Sequence, residues 1–206
     1  MKYIFVYLIC FCIFCAWLFY EQRKKQREQR KASDEFWARE ELANSTRNKD
    51  ISHLPLIQVA EDELPFLETH DEAILYYIGQ LREIIKEPMI DLSEYSNTDL
   101  KLAYGVGNFK TLSEYDEKFN TFLIALTNLA RAYERSEYHE EAKKTYLMAI
   151  RYGSRRVSDY EELAKIYLIM KHPEELDSLI HQVESSDHPR REKIVTLLRQ
   201  TLADYK

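Results

Sequence analysis

The sequence predicts an all-α chain, in which an N-terminal transmembrane helix precedes an antiparallel helical-repeat domain that ends in a capping helix. Three observations predict this class. The 206 residues include only 4 Gly, 5 Pro and 3 Cys, which favours helices and excludes collagen-like, low-complexity and disulfide-stapled chains. Residues 3–20 carry no charge. In the C-terminal half, apolar positions recur with a fixed period.

The first element is a membrane anchor, assigned to residues 1–20. Residues 3–20, as an α-helix, would rise about 27 Å, close to a hydrocarbon core of about 30 Å. Trp17 and Tyr20 lie near one end, where amphipathic rings favour the headgroup level. The alternative is a cleaved signal peptide, which needs a small-x-small cleavage site. Ala16-Trp17-Leu18 does not supply one.

A basic run follows the anchor and opens the juxtamembrane segment, residues 21–44. Residues 1–20, residues 21–31 and the remainder carry net charges of +1, +4 and −11. Positive flanks stay in the cytoplasm, which predicts a single-pass protein of the cell membrane with its soluble part cytoplasmic. The basic side chains of this run could also bind anionic lipid headgroups or act as a nuclear import signal. The simplest interpretation is that they are a topology signal on a solvated helix. They are Arg23, Lys24, Lys25, Arg27, Arg30 and Lys31.

The acidic pI of the sequence and the positions of its cysteines exclude several classes of function. A sequence pI near 5.6 argues against nucleic-acid binding, which requires a basic face on the folded domain. Cys10, Cys12 and Cys15 have a metal-like spacing, but ionised thiols inside hydrocarbon carry a large desolvation penalty. Packing within the anchor is the preferred interpretation, with acylation near the interface as the alternative. The soluble part has no Cys, which agrees with a reducing compartment.

The segment between the anchor and the repeats is predicted to hold two helices. The first begins at Ser33 or Asp34 as N-cap and ends near Asn44. Residues 45–112 form a connector, because prolines interrupt any long helix there, with one amphipathic helix over 71–86. Gly105 and Gly107 are interpreted as turn residues, since they complete neither a dinucleotide-binding nor a Walker pattern.

Residues 113–206 contain an internal repeat of 34 residues. Seven apolar positions of the first unit return in the second unit, each still apolar. Those of the first unit are Leu126, Leu129, Ala130, Tyr133, Ala142, Tyr146 and Ala149, and those of the second are Tyr160, Leu163, Ala164, Tyr167, Leu176, Ile180 and Val183. Residues 189–203 add a last amphipathic helix, the type of cap that stacked repeats require.

This pattern resembles the tetratricopeptide repeat (TPR) over residues 119–186. The family's large, large, small, aromatic order falls on Leu126, Leu129, Ala130 and Tyr133, and its Ala, aromatic, Ala order falls on Ala142, Tyr146 and Ala149. Departures are Glu137-Tyr138-His139 in place of a Gly-containing turn, an early Pro173, and Leu176 in place of Ala. A second resemblance is to membrane-anchored TPR proteins of clostridial bacteria. It covers the anchor, residues 36–40, 97–102 and 104–105, and implies an architecture without a mechanism.

The resemblance implies a protein-interaction module that docks a partner protein at the membrane. Its concave face would carry a basic strip and an apolar floor suited to an acidic, partly apolar segment, formed by Arg131, Arg135, Lys165, Leu168 and Ile169. The simpler alternative is that these charges pair with neighbouring Glu residues. No catalytic constellation, metal site or cofactor motif is present in the sequence, so we expect no enzyme and no cofactor. The other hypotheses are a self-associating structural subunit of a membrane complex and, last, an enzyme with an unrecognised site.

Overall fold

The computed structural model describes the backbone of residues 2–205 and the side chains of residue 11 and residues 13–205. It confirms the all-α class, because the described chain forms eight α-helices and no strand. The helices are α1 (Lys2–Ser45), α2 (Glu72–Ile84), α3 (Asn97–Tyr104), α4 (Phe109–Arg135), α5 (His139–Arg151), α6 (Val157–Ile169), α7 (Pro173–Glu184) and α8 (Arg191–Tyr205). Two 3₁₀ turns occupy Glu61–Glu63 and Val106–Asn108.

The first helix is longer than the sequence pattern predicts. α1 continues without interruption to Ser45, so the expectation that a separate helix begins at Ser33 or Asp34 is wrong. An N-cap residue needs non-helical backbone, and nothing upstream forces a break. Residues 21–31 contain only Glu, Gln, Arg and Lys, which are all good helix formers.

The anchor predicted over 3–20 lies partly outside the residues whose side chains are described. The side chains of residues 2–10 and 12 belong to that part, and Cys10 and Cys12 are among them. Within the described residues, no helix is long and apolar enough to cross a membrane.

The chain divides into two compact units. The first comprises the chain up to His53 together with Glu94–Lys110, and the second comprises Leu54–Ser93 together with the chain from Thr111 onward. The predicted connector contributes to both units. It holds two α-helices, α2 and α3, where the sequence predicted one.

In the first unit, α3 packs against the end of α1. Arg39 donates to Asp99 over 2.5 Å, and Lys101 pairs with Glu40 at 3.3 Å. A capping box between Ser96 and Asp99 starts α3 and satisfies backbone donors of its first turn. This helix has only 8 residues and a weak apolar pattern, so capping and contact with α1 stabilise a segment that periodicity does not identify.

The turn after α3 explains both glycines of the Gly105-Val106-Gly107 sequence. Gly105 has a φ of 91°, a conformation that residues with a side chain rarely adopt. A Cβ atom there would lie 2.5 Å from the Cα of Asn48. Gly107 donates its backbone N–H to Oδ1 of Asn48 over 2.7 Å. Close approach of the chain that follows α1 therefore requires glycine at these positions.

The second unit has one apolar core, to which the connector, α2 and α4–α8 all contribute buried side chains. Within it, α6 contacts α5, α7 and α8, and α7 also contacts α8. The predicted capping helix corresponds to α8, whose Ile194 and Leu198 are buried. An amphipathic helix at the end of a stack gives the last pair a partner for its apolar face.

The internal period of 34 residues is present in the structure of the second unit. All fourteen apolar positions of the sequence repeat are buried. The turns are also equivalent, because Glu137 and Lys171, which are 34 residues apart, both have a φ of 61°. Tyr138 donates its backbone N–H to the carbonyl of Tyr133 over 2.9 Å, and His172 donates to that of Tyr167 over 2.8 Å. The chain therefore folds into two successive helical hairpins of the same local geometry.

Pro173 is compatible with this repeat. It occupies the start of α7, where the missing N–H would have no partner within the helix. The early proline therefore begins the second helix of the hairpin without distorting it.

Tyr133 is expected to be a major contributor to stability. The side chain is fully buried, so Tyr133→Ala should lower the free energy of unfolding by about 3 kcal/mol or more, as truncation of a buried aromatic does. Lys144→Ala, at an exposed position of α5, serves as the control, with an expected change under about 0.5 kcal/mol. Chemical denaturation measures both, and equal losses would contradict the burial of Tyr133.

Candidate partner-binding surface

The predicted partner-binding residues lie on α4 and α6 of the second unit. Arg131 is half-buried and Arg135 is exposed, both in the last two turns of α4. Lys165, Leu168 and Ile169 lie in the second half of α6, and the Ile169 side chain is 54% exposed. An apolar residue of this size in water at the end of a helix is available for contact with another molecule.

Two of these residues belong to a cleft between the two helices, which we call the α4–α6 cleft. It has a volume of about 370 Å³ and is lined by Arg131, Glu134, Arg135 and Glu162. The structure therefore brings both predicted arginines to one site. Glu162 was not predicted as part of it, and the only sequence signal for this residue is its helical spacing from Lys165.

The positive charges of this surface differ in their pairing. Lys165 lies 3.0 Å from a carboxylate oxygen of Glu161 and 3.2 Å from one of Glu162. This lysine therefore pairs with neighbouring Glu residues, as the simpler alternative to partner binding predicted. Within the described part of the chain, neither Arg131 nor Arg135 takes part in an ion pair. Two guanidinium groups therefore remain available to a carboxylate that comes from outside.

The acidic side of the cleft is partly dehydrated. Burial raises the pKa of the Glu134 carboxyl, the nearby Glu162 charge raises it further, and Lys165 and the Tyr146 hydroxyl oppose both effects. No atom of the described residues completes a hydrogen bond of good geometry with that buried hydroxyl. Burial also raises the pKa of the Tyr146 phenol, which keeps it protonated and able to donate.

Thr127 lies on the same helix as the two arginines, one turn before Arg131, but not on the exposed surface. It is buried and donates to the carbonyl of Leu123 over 3.0 Å and to Asp159 over 3.2 Å. Ser154 also donates its hydroxyl to Asp159. This buried polar cluster joins α4 to the start of α6, and a carboxylate in the first turn also interacts favourably with the helix dipole. Residue type alone does not reveal such a cluster, because its members are far apart in the sequence.

The basic residues between 21 and 31 are all exposed along α1. Lys31 approaches Glu35 at 3.9 Å, a pair that is weak because both side chains are solvated. The remaining positive charges are therefore open to solvent or to an anionic surface.

A second cleft was not predicted from the sequence. It has a volume of about 960 Å³ and lies between residues 61–70 of the connector and α2, on which Leu75, Ile78 and Arg82 line it. We call it the α2 groove. The Arg82 guanidinium is 5.3 Å from the centre of the Phe66 ring. From the sequence, this segment was predicted only as an extended connector, and no motif marks it.

The Glu134 carboxylate provides a test of the cleft's electrostatics. The pKa of the Glu134 carboxyl is raised in the folded state, so its charged form lowers the stability of the fold. This loss of stability is present above the folded pKa, and it disappears at low pH, where the carboxyl is protonated in both the folded and the unfolded state. Glu134→Gln should therefore raise the melting temperature at pH 7 by about 1–3 °C. The gain should vanish below the ordinary carboxyl pKa of 4.5. Glu117→Gln, at an exposed position of α4, is the control and should change little; a decrease at pH 7 for Glu134→Gln would contradict the assignment.

The described residues contain no group of three or more His, Cys, Asp or Glu side chains that could hold a metal ion. No protein-family model, curated protein or solved structure matches the chain. Its own residues form a mixed-charge cleft on α4 and α6 and a groove beside α2 that both apolar and polar side chains line. Both surfaces can contact another polypeptide.

Proposed function

We propose that this chain is a membrane-anchored, TPR-type interaction module that docks a partner protein at the cytoplasmic face of the cell membrane. The observation that supports it best is the repetition of one helical hairpin after 34 residues, with equivalent buried positions and equivalent turns. Stacked helical hairpins form extended surfaces that commonly bind other proteins. The type of repeat rests on the residue pattern of residues 119–186.

Exposed apolar side chains on α1 support the anchor. Among the described side chains between 11 and 20, seven large apolar ones are exposed, from Leu18 at 38% to Tyr20 at 68%. They are Phe11, Ile13, Phe14, Trp17, Leu18, Phe19 and Tyr20. An apolar surface of this extent is unfavourable in water and favours insertion into lipid. The adjacent basic run supports a cytoplasmic location for the rest of the chain.

The α4–α6 cleft supports a partner segment that is acidic and partly apolar. Arg131 and Arg135 have no ion-pair partner in the described chain, and a carboxylate that binds them would replace water at two guanidinium groups. Leu168 and Ile169 provide apolar contacts on α6. Lys165 contributes less, because Glu161 and Glu162 already neutralise it.

A self-associating subunit of a membrane complex is the second candidate. Phe36 and Trp37 favour it, because their rings lie in contact on α1 with centroids 5.4 Å apart and are 55% and 66% exposed. An exposed aromatic pair is suited to contact with another protein surface, including a second copy of this chain.

The arginine pair is expected to decide partner capture. Arg131→Gln with Arg135→Gln should reduce the recovery of stoichiometric partners from native membranes by about tenfold, since two charges are lost from the cleft. The matched control is Lys144→Gln with Arg151→Gln, two exposed positions of α5. Quantitative mass spectrometry after purification of the full-length chain measures recovery, and unchanged melting temperatures show that the fold is retained. Equal recovery for the two double variants would exclude the cleft as the docking site.

The proposed topology is tested with a C-terminal tag. Because six basic residues follow the anchor, the tag should resist external protease in intact cells and be digested after the membrane is opened. A periplasmic or extracellular marker serves as the control for protease access. Digestion of the tag in sealed cells would reverse the orientation.

A further inference from the structure

Gly79 differs from the other three glycines, because neither the backbone conformation nor the packing of the folded chain requires a glycine at this position. Gly105 and Gly153 have a φ of 91°, and Gly107 meets Asn48. Gly79 lies inside α2, and a Cβ atom built there would have nothing within 4 Å. Alanine would fit and is a better helix former. Packing within the folded chain therefore does not explain the glycine at this position.

Two large, exposed side chains precede this position on the same face of α2. Helical periodicity places Leu75 and Tyr76 one turn before Gly79 on the same face. They are 48% and 60% exposed. Between these side chains and Arg82, the α2 backbone is bare, so another helix can approach it more closely than it can approach a helix with side chains there.

The α2 groove lies beside this bare backbone and adds an apolar wall. Leu75 belongs to both the exposed face and the groove, and Phe66 and Leu67 line the opposite side. Arg82 does not give the groove a free positive charge, because its Nε lies 2.6 Å from a carboxylate oxygen of Glu61.

The charge at the rim is negative. Asp62 and Glu68 line the groove, and Glu72 is the first residue of α2. All three are exposed, and none takes part in an ion pair within the described part of the chain. A segment that lies in the groove would place its flanking residues next to these carboxylates. Basic side chains there gain favourable interactions, whereas acidic ones are repelled.

We propose that the exposed face of α2, together with the α2 groove, binds an α-helix of a protein partner. This helix carries a small residue opposite Gly79, leucine-like side chains in the groove, and Lys or Arg along the acidic rim. The helix-in-groove mode matches a narrow apolar stripe with charged flanks. The site uses residues other than the α4–α6 cleft and selects a segment of opposite charge, so it does not depend on the function proposed above.

Binding of designed peptides to the full-length chain in lipid nanodiscs tests this site. The probe is a fluorescent amphipathic helix of about 16 residues, because shorter isolated helices are marginal in water. It has one Ala between two Leu residues on its apolar face and flanking Lys residues. One comparison peptide has Glu in place of Lys, and another has Phe in place of the Ala. We expect both comparison peptides to bind at least about tenfold more weakly than the probe.

Variants at Gly79 separate binding from folding. Gly79→Ala should lower the affinity for the probe about threefold, and Gly79→Gln should lower it at least about tenfold, because the new side chains hold the two helices apart. Both should raise the melting temperature, since both residues favour helix over glycine. Thr121→Ala, at an exposed position of α4, is the control that raises helix propensity away from the groove and should leave the affinity unchanged.

Three results would overturn the proposal. The first is equal affinity of the wild-type chain and Gly79→Gln for the probe. The second is binding of the Glu peptide or the Phe peptide as strong as that of the probe. The third is a dimer of the full-length chain that Gly79→Gln dissociates, which would assign this face to a second copy.

Discussion

The hydrogen bonds of Tyr133 and Ser136 join the connector to the helical repeats, and the position of the α2 groove depends on this junction. The buried Tyr133 hydroxyl donates to the carbonyl of Pro65 over 2.8 Å and accepts the N–H of Leu67 over 3.1 Å. Burial raises the pKa of this phenol to about 12, so it remains a donor at neutral pH. Ser136 donates to Asp71 over 2.6 Å, and Asp71 caps α2. Bonds made at the C-terminal end of α4 therefore position both walls of the α2 groove.

The second unit presents two surfaces that differ in their unpaired charges. The α4–α6 cleft contains Arg131 and Arg135 beside Glu134 and Glu162, and neither arginine forms an ion pair among the described residues. Beside the α2 groove, the carboxylates of Asp62, Glu68 and Glu72 also form no ion pair there. Electrostatic complementarity selects partners more than it adds affinity. An acidic segment and a basic helix could therefore occupy one chain at the same time without competing for the same charges.

The periodicity of apolar residues predicted the helices that bury an apolar stripe. It failed where capping or polar contacts determine whether a helix forms and where it begins. The 34-residue period identified the buried positions of α4–α7, because close packing requires apolar side chains at each equivalent site. α3 was missed, since capping and polar contacts with α1 hold it. The predicted start at Ser33 was wrong because a good N-cap residue can also lie within a continuous helix.

The candidate site was predictable only as a set of exposed positions. Helical spacing placed Arg131 and Arg135 on one face. The position of Glu162 in the cleft and the burial of Thr127 against Asp159 followed from contacts between separate helices. The sequence by itself determined the helical class, the repeat and the charge distribution, because these depend on residue type and local spacing. Only the tertiary structure decided which charges are paired and that residues 61–70 form a groove with α2, because both depend on side chains that folding brings together from distant parts of the chain.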